Sequence, residues 1–278
     1  MISLANLKKE KELLESLRGI MDVLKGLAGT RLKTLQSEGF DRSFAGNIEA
    51  AFRLLNLQYV VHPFLKQAIG LPKIIVILTP DEGFTGRLAS LLIKEAEQVT
   101  EIGDEWVVLG ERGRIMLHSR QRQFTEFKRL KKREFTYIDA RNLTAYFINK
   151  YLEKKAGRVD FVFPGFVSIT KQTIVNQRIL PFHPYKIITS IEYPLRNIII
   201  EPSLTRIVGA LIRLWIVQRV NEIFWEARLA EAAARILQLE GSSQELLTMG
   251  KKMQFKYLKV MHNINDRKMR EVLASRII

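Results

Sequence analysis

The sequence predicts an α/β domain carried between two long helices that come from opposite ends of the chain and pair with each other. Three observations support this. Apolar, β-branched runs alternate with helical patterns only between residues 72 and about 200. All eight prolines lie between positions 63 and 202. On either side of that zone, apolar or small residues step by three and four along proline-free stretches.

Residues 3 to about 60 read as helix. Leu14, Leu17, Met21, Leu24, Ala28, Arg31 and Leu35 alternate steps of three and four, a heptad seam interrupted by Arg31. Gly19, Gly26 and Gly29 each lower intrinsic helix stability by about 1 kcal/mol relative to alanine. Such a helix must gain its stability from packing. In the central zone, strand-like runs occupy 73–79, 105–110, 134–138, 160–170 and 185–193. Helical patterns intervene at 86–98, about 113–130 and 141–155. A sheet that begins parallel is expected, with the last two runs pairing antiparallel because no helix separates them. From 201 onward the pattern is helical again, with Pro202 suited to a first turn. Val220, Ile223, Ala227, Ala230, Ala234 and Leu237 form a second seam, rich in small residues, and Gly241 and Gly250 are candidate bends. The expected division is an N-terminal coiled-coil helix (1–62), a Rossmann-like α/β domain (63–200) and a C-terminal coiled-coil helix (201–278), the two helices forming a long antiparallel coiled coil.

The chain has 278 residues, 47% of them hydrophobic, so a packed core is expected rather than disorder. It has no cysteine, which excludes disulfides and thiolate metal sites. His62, His118, His183 and His262 show no metal-ligand spacing. The N-terminus lacks the long apolar core of a signal peptide. The richest apolar run, residues 207–217, is broken by Arg213 and is too short to span a membrane. The net charge of +15 implies an anionic partner. Residues 111–133 hold nine Lys/Arg against two Asp/Glu, and residues 201–278 hold 13 against 8.

One stretch, IVILTPDEGFTGRLASLL (75–92), has the order of a phosphate cradle: apolar run, glycines, helix. Its residues do not complete one. A Walker loop needs GxxxxGK[ST] and a dinucleotide fingerprint needs GxGxxG, whereas Gly83 and Gly86 give GxxG beside Asp81 and Glu82. Glycine at a strand-to-helix turn often serves sterics alone. No GxSxG or HExxH occurs, so no catalytic, cofactor or metal residue is assigned. A basic coiled-coil nucleic-acid binder is the alternative, with 111–133 as its patch and Phe124 and Phe127 as stacking rings. A nucleotide-using α/β enzyme is a third reading, weakened by the incomplete glycine turn.

The order of segments resembles the gamma subunit, or central stalk, of F-type ATP synthases. LKGLAGTRLKTLQ (24–36) is similar to that family's MxMVAAxKLRxAQ helix. Residues 75–92 look like its ITSDRGLCGGLNxxLL, matching at Thr79, Asp81, Gly83, Gly86 and Leu88 but not at the family's cysteine and asparagine. VVLGERGR (107–114) resembles VIGKKGR, and IIIEPS (198–203) resembles the YxYEPS entry into the C-terminal helix. LAEAAARI (229–236) corresponds to ASEHAARM at Glu231, Ala233, Ala234 and Arg235. The resemblance implies a non-catalytic rotor with no cofactor and no substrate of its own. Its implied partners are an α3β3 hexamer, an epsilon-type subunit and a membrane c-ring, on the cytoplasmic or organelle-matrix face of an energy-transducing membrane. Ring contacts would fall at Leu24, Arg31, Arg235, Met261, His262, Arg267 and Arg270, and the C-terminal tip (270–278) would meet an apolar bearing. Several contact positions depart from the family. KITKAM becomes GIMDVL (19–24), placing Asp22 where lysine is usual and Leu24 where methionine is; ARQ becomes VMH (260–262), and ITQEL becomes INDRK (264–268). These departures predict a rewired clasp to the ring.

Overall fold

The computed structural model describes residues 4–41, 43–55, 60–66, 68–127, 135–183 and 201–275. It divides into two compact units, residues 32–234 and residues 1–31 with 235–278. These boundaries differ from divisions at 62 and 200, because the inner parts of both terminal helices pack into the core of the larger unit.

That core is built on a sheet of order β3-β2-β1-β4-β5, five strands among the described residues. β1 (Lys73–Leu78), β2 (Glu105–Leu109), β3 (Thr125–Glu126) and β4 (Arg158–Phe166) run parallel, and β5 (Gln172–Leu180) is antiparallel to β4. Residues alternate between the two faces, as the strand period requires. Ile74, Val76, Phe161 and Phe163 join a cluster with α2 (Ser43–Leu54), α5 (Tyr137–Leu152) and the first turns of α6 (Leu204–Ser275), including Phe52, Phe147, Ile212 and Ile216. Ile75, Ile77, Trp106 and Val162 join a second cluster with α3 (Leu88–Val99) and α4 (Glu111–Ser119). Burial on both faces explains why these strands read as continuous apolar runs. Deep in the first cluster, burial pushes the Tyr151 phenol up to about 12, and its hydroxyl donates to Lys66 O at 2.7 Å.

Several elements depart from the sequence reading. α1 (Leu4–Glu38) ends at Gly39, whose φ of +63° and N–H bond to Leu35 O cap the helix; α2 then opens with Asp41 Oδ1 accepting from the Ser43 N–H. The strand expected at 134–138 gives way to the start of α5. Thr136 caps that helix in a reciprocal capping box with Asp139, which decides the local conformation over β-propensity. The helix expected through 130 stops at Ser119, where Gln121 takes φ +53° and the chain turns into β3. The antiparallel partner of β4 is 172–180, and the run 185–193 lies outside the described residues. Pro202 precedes α6, which starts at Leu204 with Ser203 Oγ accepting from the Arg206 N–H.

The smaller unit joins the outer parts of α1 and α6. Lys25 meets Glu240 while Asp22 meets Ser243, so the two segments run antiparallel.

Candidate functional site

The glycines after β2, Gly110 and Gly113, are a packing device that lets the start of α4 close on the end of β1. Thr79 Oγ1 donates to Leu109 O at 2.9 Å and accepts from the Gly113 N–H at 3.0 Å. A Cβ on Gly113 would lie 2.4 Å from that hydroxyl oxygen, and one on Gly110 (φ +103°) would lie 1.9 Å from Thr79 O. The first amides of α4 already have acceptors. Arg112 N–H bonds Pro80 O at 3.0 Å and Glu111 N–H bonds Asp81 Oδ1 at 3.3 Å. Asp81 itself therefore occupies the positive end of α4, where a phosphate would otherwise sit. Among the described residues, no three His, Cys, Asp or Glu side chains come together as a metal site.

Three cations in the described part of the basic run are engaged in the same unit. Arg114 pairs with Glu111, Arg120 Nη1 bonds Glu97 at 3.0 Å, and the Arg122 guanidinium stacks 4.3 Å above Trp106. Phe124 packs edge-on against His118, and Phe127 lies against the core. These rings and cations are spent on internal contacts, and residues 128–133 lie outside the described chain.

The smaller unit offers a different kind of surface. On α1, Leu14, Leu17, Met21 and Leu24 are half-buried and Ala28 is buried. Past Ala28 the buried position is Leu32, while Arg31 is half-buried beside it. Ala227, Ala230 and Ala234 on α6 are buried, but within the larger unit, where Ala227 joins the first core cluster and Ala234 the second. Leu237 is 45% exposed and does not belong to the seam. The α6 seam in the smaller unit begins at Leu239 and Ser243 and continues through Leu246, Gly250, Met253, Tyr257 and Val260.

One flank of this pairing is polar. Lys25 Nζ bonds Glu240 Oε2 at 2.8 Å and Asp22 Oδ1 at 3.4 Å, and the buried Ser243 hydroxyl donates to the same Asp22 oxygen at 3.0 Å. The Glu240 bond holds the Lys25 ammonium above the usual lysine range, and bonds from Gln244 and Lys25 hold Glu240 below the usual carboxylate range.

The other flank of α1 is apolar and open. Leu13 (58%), Ile20 (54%), Val23 (64%) and Leu27 (63%) recur at helical spacing and stand well out into solvent. Helical geometry places the exposed Lys252, Lys256 and Lys259 of α6 on the adjoining side, away from the polar cluster. Of the contact residues predicted from sequence, His262, Arg267 and Arg270 are exposed, Leu24, Arg31 and Met261 are half-buried, and Arg235 is buried. Arg267 bonds Glu271 one turn on. The sequence reading missed the Leu13–Ile20–Val23–Leu27 stripe, although its steps of seven, three and four are a helical signal.

The family model described as ATP synthase matches residues 1–261. The chain belongs to this ATP synthase family. Curated ATP synthase gamma chains align along nearly its whole length. That of Trichlorobacter lovleyi is 24% identical over 266 residues, covering 92% of each chain, and that of a Synechococcus strain is 23% identical, covering 98% of each. The fold agrees with the rotor of the Euglena gracilis mitochondrial ATP synthase, with a TM-score of 0.66 at 14% identity over 94% of this chain and 98% of that one. The Tetrahymena thermophila central stalk matches with a TM-score of 0.57 at 16% identity over 81% of this chain and 99% of that one. Among the described residues no helix is long and apolar enough to cross a membrane.

Proposed function

We propose that this chain is the central rotor shaft of an F1-type rotary ATP synthase or ATPase, a non-catalytic subunit that couples rotation to conformational change in a surrounding α3β3 ring. An epsilon-type subunit and a membrane c-ring are its further partners, and it sits peripherally on the cytoplasmic or matrix face of the membrane. The observation that carries this reading is the pairing of α1 and α6 in a unit with unlike flanks, one polar, one apolar and basic. A shaft with unlike sides makes different contacts with each ring subunit at each angle, so it favours a different set of ring conformations as it turns. The lysine row suits acidic ring segments, and exposed charges of this kind steer and orient more than they bind.

Tagging the larger unit and isolating the native complex tests the proposal. Alpha-, beta- and epsilon-type subunits in about 3:3:1 proportion to the tagged chain are the expected result for one shaft per ring. Recovery of nucleic acid, or of no ring, overturns it. A second experiment addresses the rewired clasp. Met261→Arg and His262→Gln should change ring affinity or ATPase rate; if both variants behave as the parent does, the clasp is not where this chain differs.

A further inference from the structure

In the larger unit, the β4–β5 pairing places two cations beside one anion. Arg158 and Asp160 are two residues apart on β4, so they share a face, and Arg178 of β5 stands directly opposite Asp160. Asp160 is fully buried and already taken. Arg158 Nε donates to its Oδ1 at 2.8 Å, and Arg158 Nη2 lies 2.7 Å from its Oδ2. Arg178 is exposed and has no anionic partner among the described residues. These two arginines line a cavity of about 380 Å³ together with Asn176, His183 and Trp215. His183 Nδ1 is engaged with Pro181 O at 2.9 Å, which leaves Nε2 available. The Trp215 ring packs edge-on against Phe182, and its indole N–H has no acceptor among the described residues. The lining is thus rich in N–H donors, while its nearest carboxylate is spent.

We propose that this cavity binds a phosphate ester. The ester's oxygens would accept from the Arg178 guanidinium, the outer Arg158 N–H groups and the Trp215 indole, and its organic substituent would lie along Ile179 and Pro181. Guanidinium matches phosphate in geometry as well as charge. The volume falls in the usual range for small-molecule sites and exceeds what a bare phosphate needs. All the residues of this site belong to the larger unit, and the proposal does not depend on the rotor reading.

The test uses the full chain and its indole N–H signals in nitrogen-15 NMR, with the Trp215 signal assigned by Trp215→Phe. Glycerol 3-phosphate and inorganic phosphate probe a soluble source. Phosphatidylcholine vesicles with and without phosphatidylglycerol probe a lipid headgroup by flotation. A saturable shift of the Trp215 signal, with Trp106 and Trp225 unmoved, is expected. Arg178→Ala should weaken the affinity at least tenfold, and Arg178→Lys should restore part of it. Saturation by glycerol 3-phosphate identifies a soluble ester; flotation only with phosphatidylglycerol and only with Arg178 intact identifies a headgroup. Arg178 is exposed, so Arg178→Ala should fold, and unchanged Trp106 and Trp225 signals will verify that. No saturable response to any probe, or an equal response in Arg178→Ala, overturns the proposal.

Discussion

Thr79 shows how one hydroxyl fixes the character of a turn. It joins the end of β1 to the first turn of α4 so closely that Gly110 and Gly113 have no room for a side chain. Gly110→Ala should therefore cost roughly 3 kcal/mol or more, from its positive φ and the overlap with Thr79 O together, read as a shift in denaturation midpoint. His62 gives a residue-level pH dependence. Its Nδ1 accepts from the Phe64 N–H at 3.2 Å, and its ring lies where a Cβ on Gly209 would be. Burial, with Arg213 adding repulsion, lowers its pKa below the ordinary 6.5. The unfolded chain thus holds the proton more readily than the folded one. The stabilisation is present above pH 6.5 and is lost as the pH falls through the depressed folded value. His62→Asn keeps an acceptor at the cap and removes the titration, so its melting temperature should fall less between about pH 7 and pH 5 than the parent's. At this scale the sequence told part of the story. That glycine at a strand-to-helix turn serves sterics was legible; that the space at Gly110 and Gly113 is taken by Thr79, from the end of another strand, was not. Leu237 was misleading: it continues a three-and-four series by position, yet the register of the pairing turns Leu239 and Ser243 inward instead.

Among the elements, α1 and α6 carry the structural argument of the smaller unit. The buried Ser243 hydroxyl serves Asp22 across the seam, so Ser243→Ala should cost about 1 kcal/mol and loosen α1 where Gly26 and Gly29 already weaken it. Faster amide hydrogen exchange over residues 19–30 would report it. Both long helices were legible because proline is absent from them and their apolar residues keep the helical period. The break after α1 was not, since one glycine among several carries no sign of a positive φ. β5 was hidden by its polar face: Asn176 and Arg178 alternate with residues turned to the core, and β5, the last strand of the sheet among the described residues, lacks the continuous apolar run of its neighbours. At Thr136 the capping chemistry was visible but was outweighed by aromatic and β-branched residues on either side.

For the whole molecule, the rotor reading makes the open stripe of α1 the place to strike. Ile20→Asp with Val23→Asp should leave the free chain folded, because both side chains are more than half exposed. In reconstitution the pair should lower association with the ring and the resulting ATPase rate severalfold, while free and variant chains melt alike. Equal association would place the ring contact elsewhere. The fold and the family were legible over the full length because segment order survives where individual motifs have drifted. The contact surface was less so: a family's contact positions carry over only where the residues match, and Asp22, Met261 and His262 do not.

The smaller unit has one further consequence, for biosynthesis. It unites residues 1–31 with residues 235–278, so its first half is made long before its second. At the usual 5–20 residues per second, the roughly 200 residues between them separate the halves by on the order of 10–40 s. Throughout that interval Leu14, Leu17 and Met21 have no partner, and the nascent helix shows water an apolar seam as well as an apolar flank. The larger unit can assemble only once the inner turns of α6 emerge, and the remaining turns of that same helix then close the seam. The aggregation-prone stage therefore ends only when residues 235–278 have been made, which makes the outer turns of α6 the guardians of the outer turns of α1.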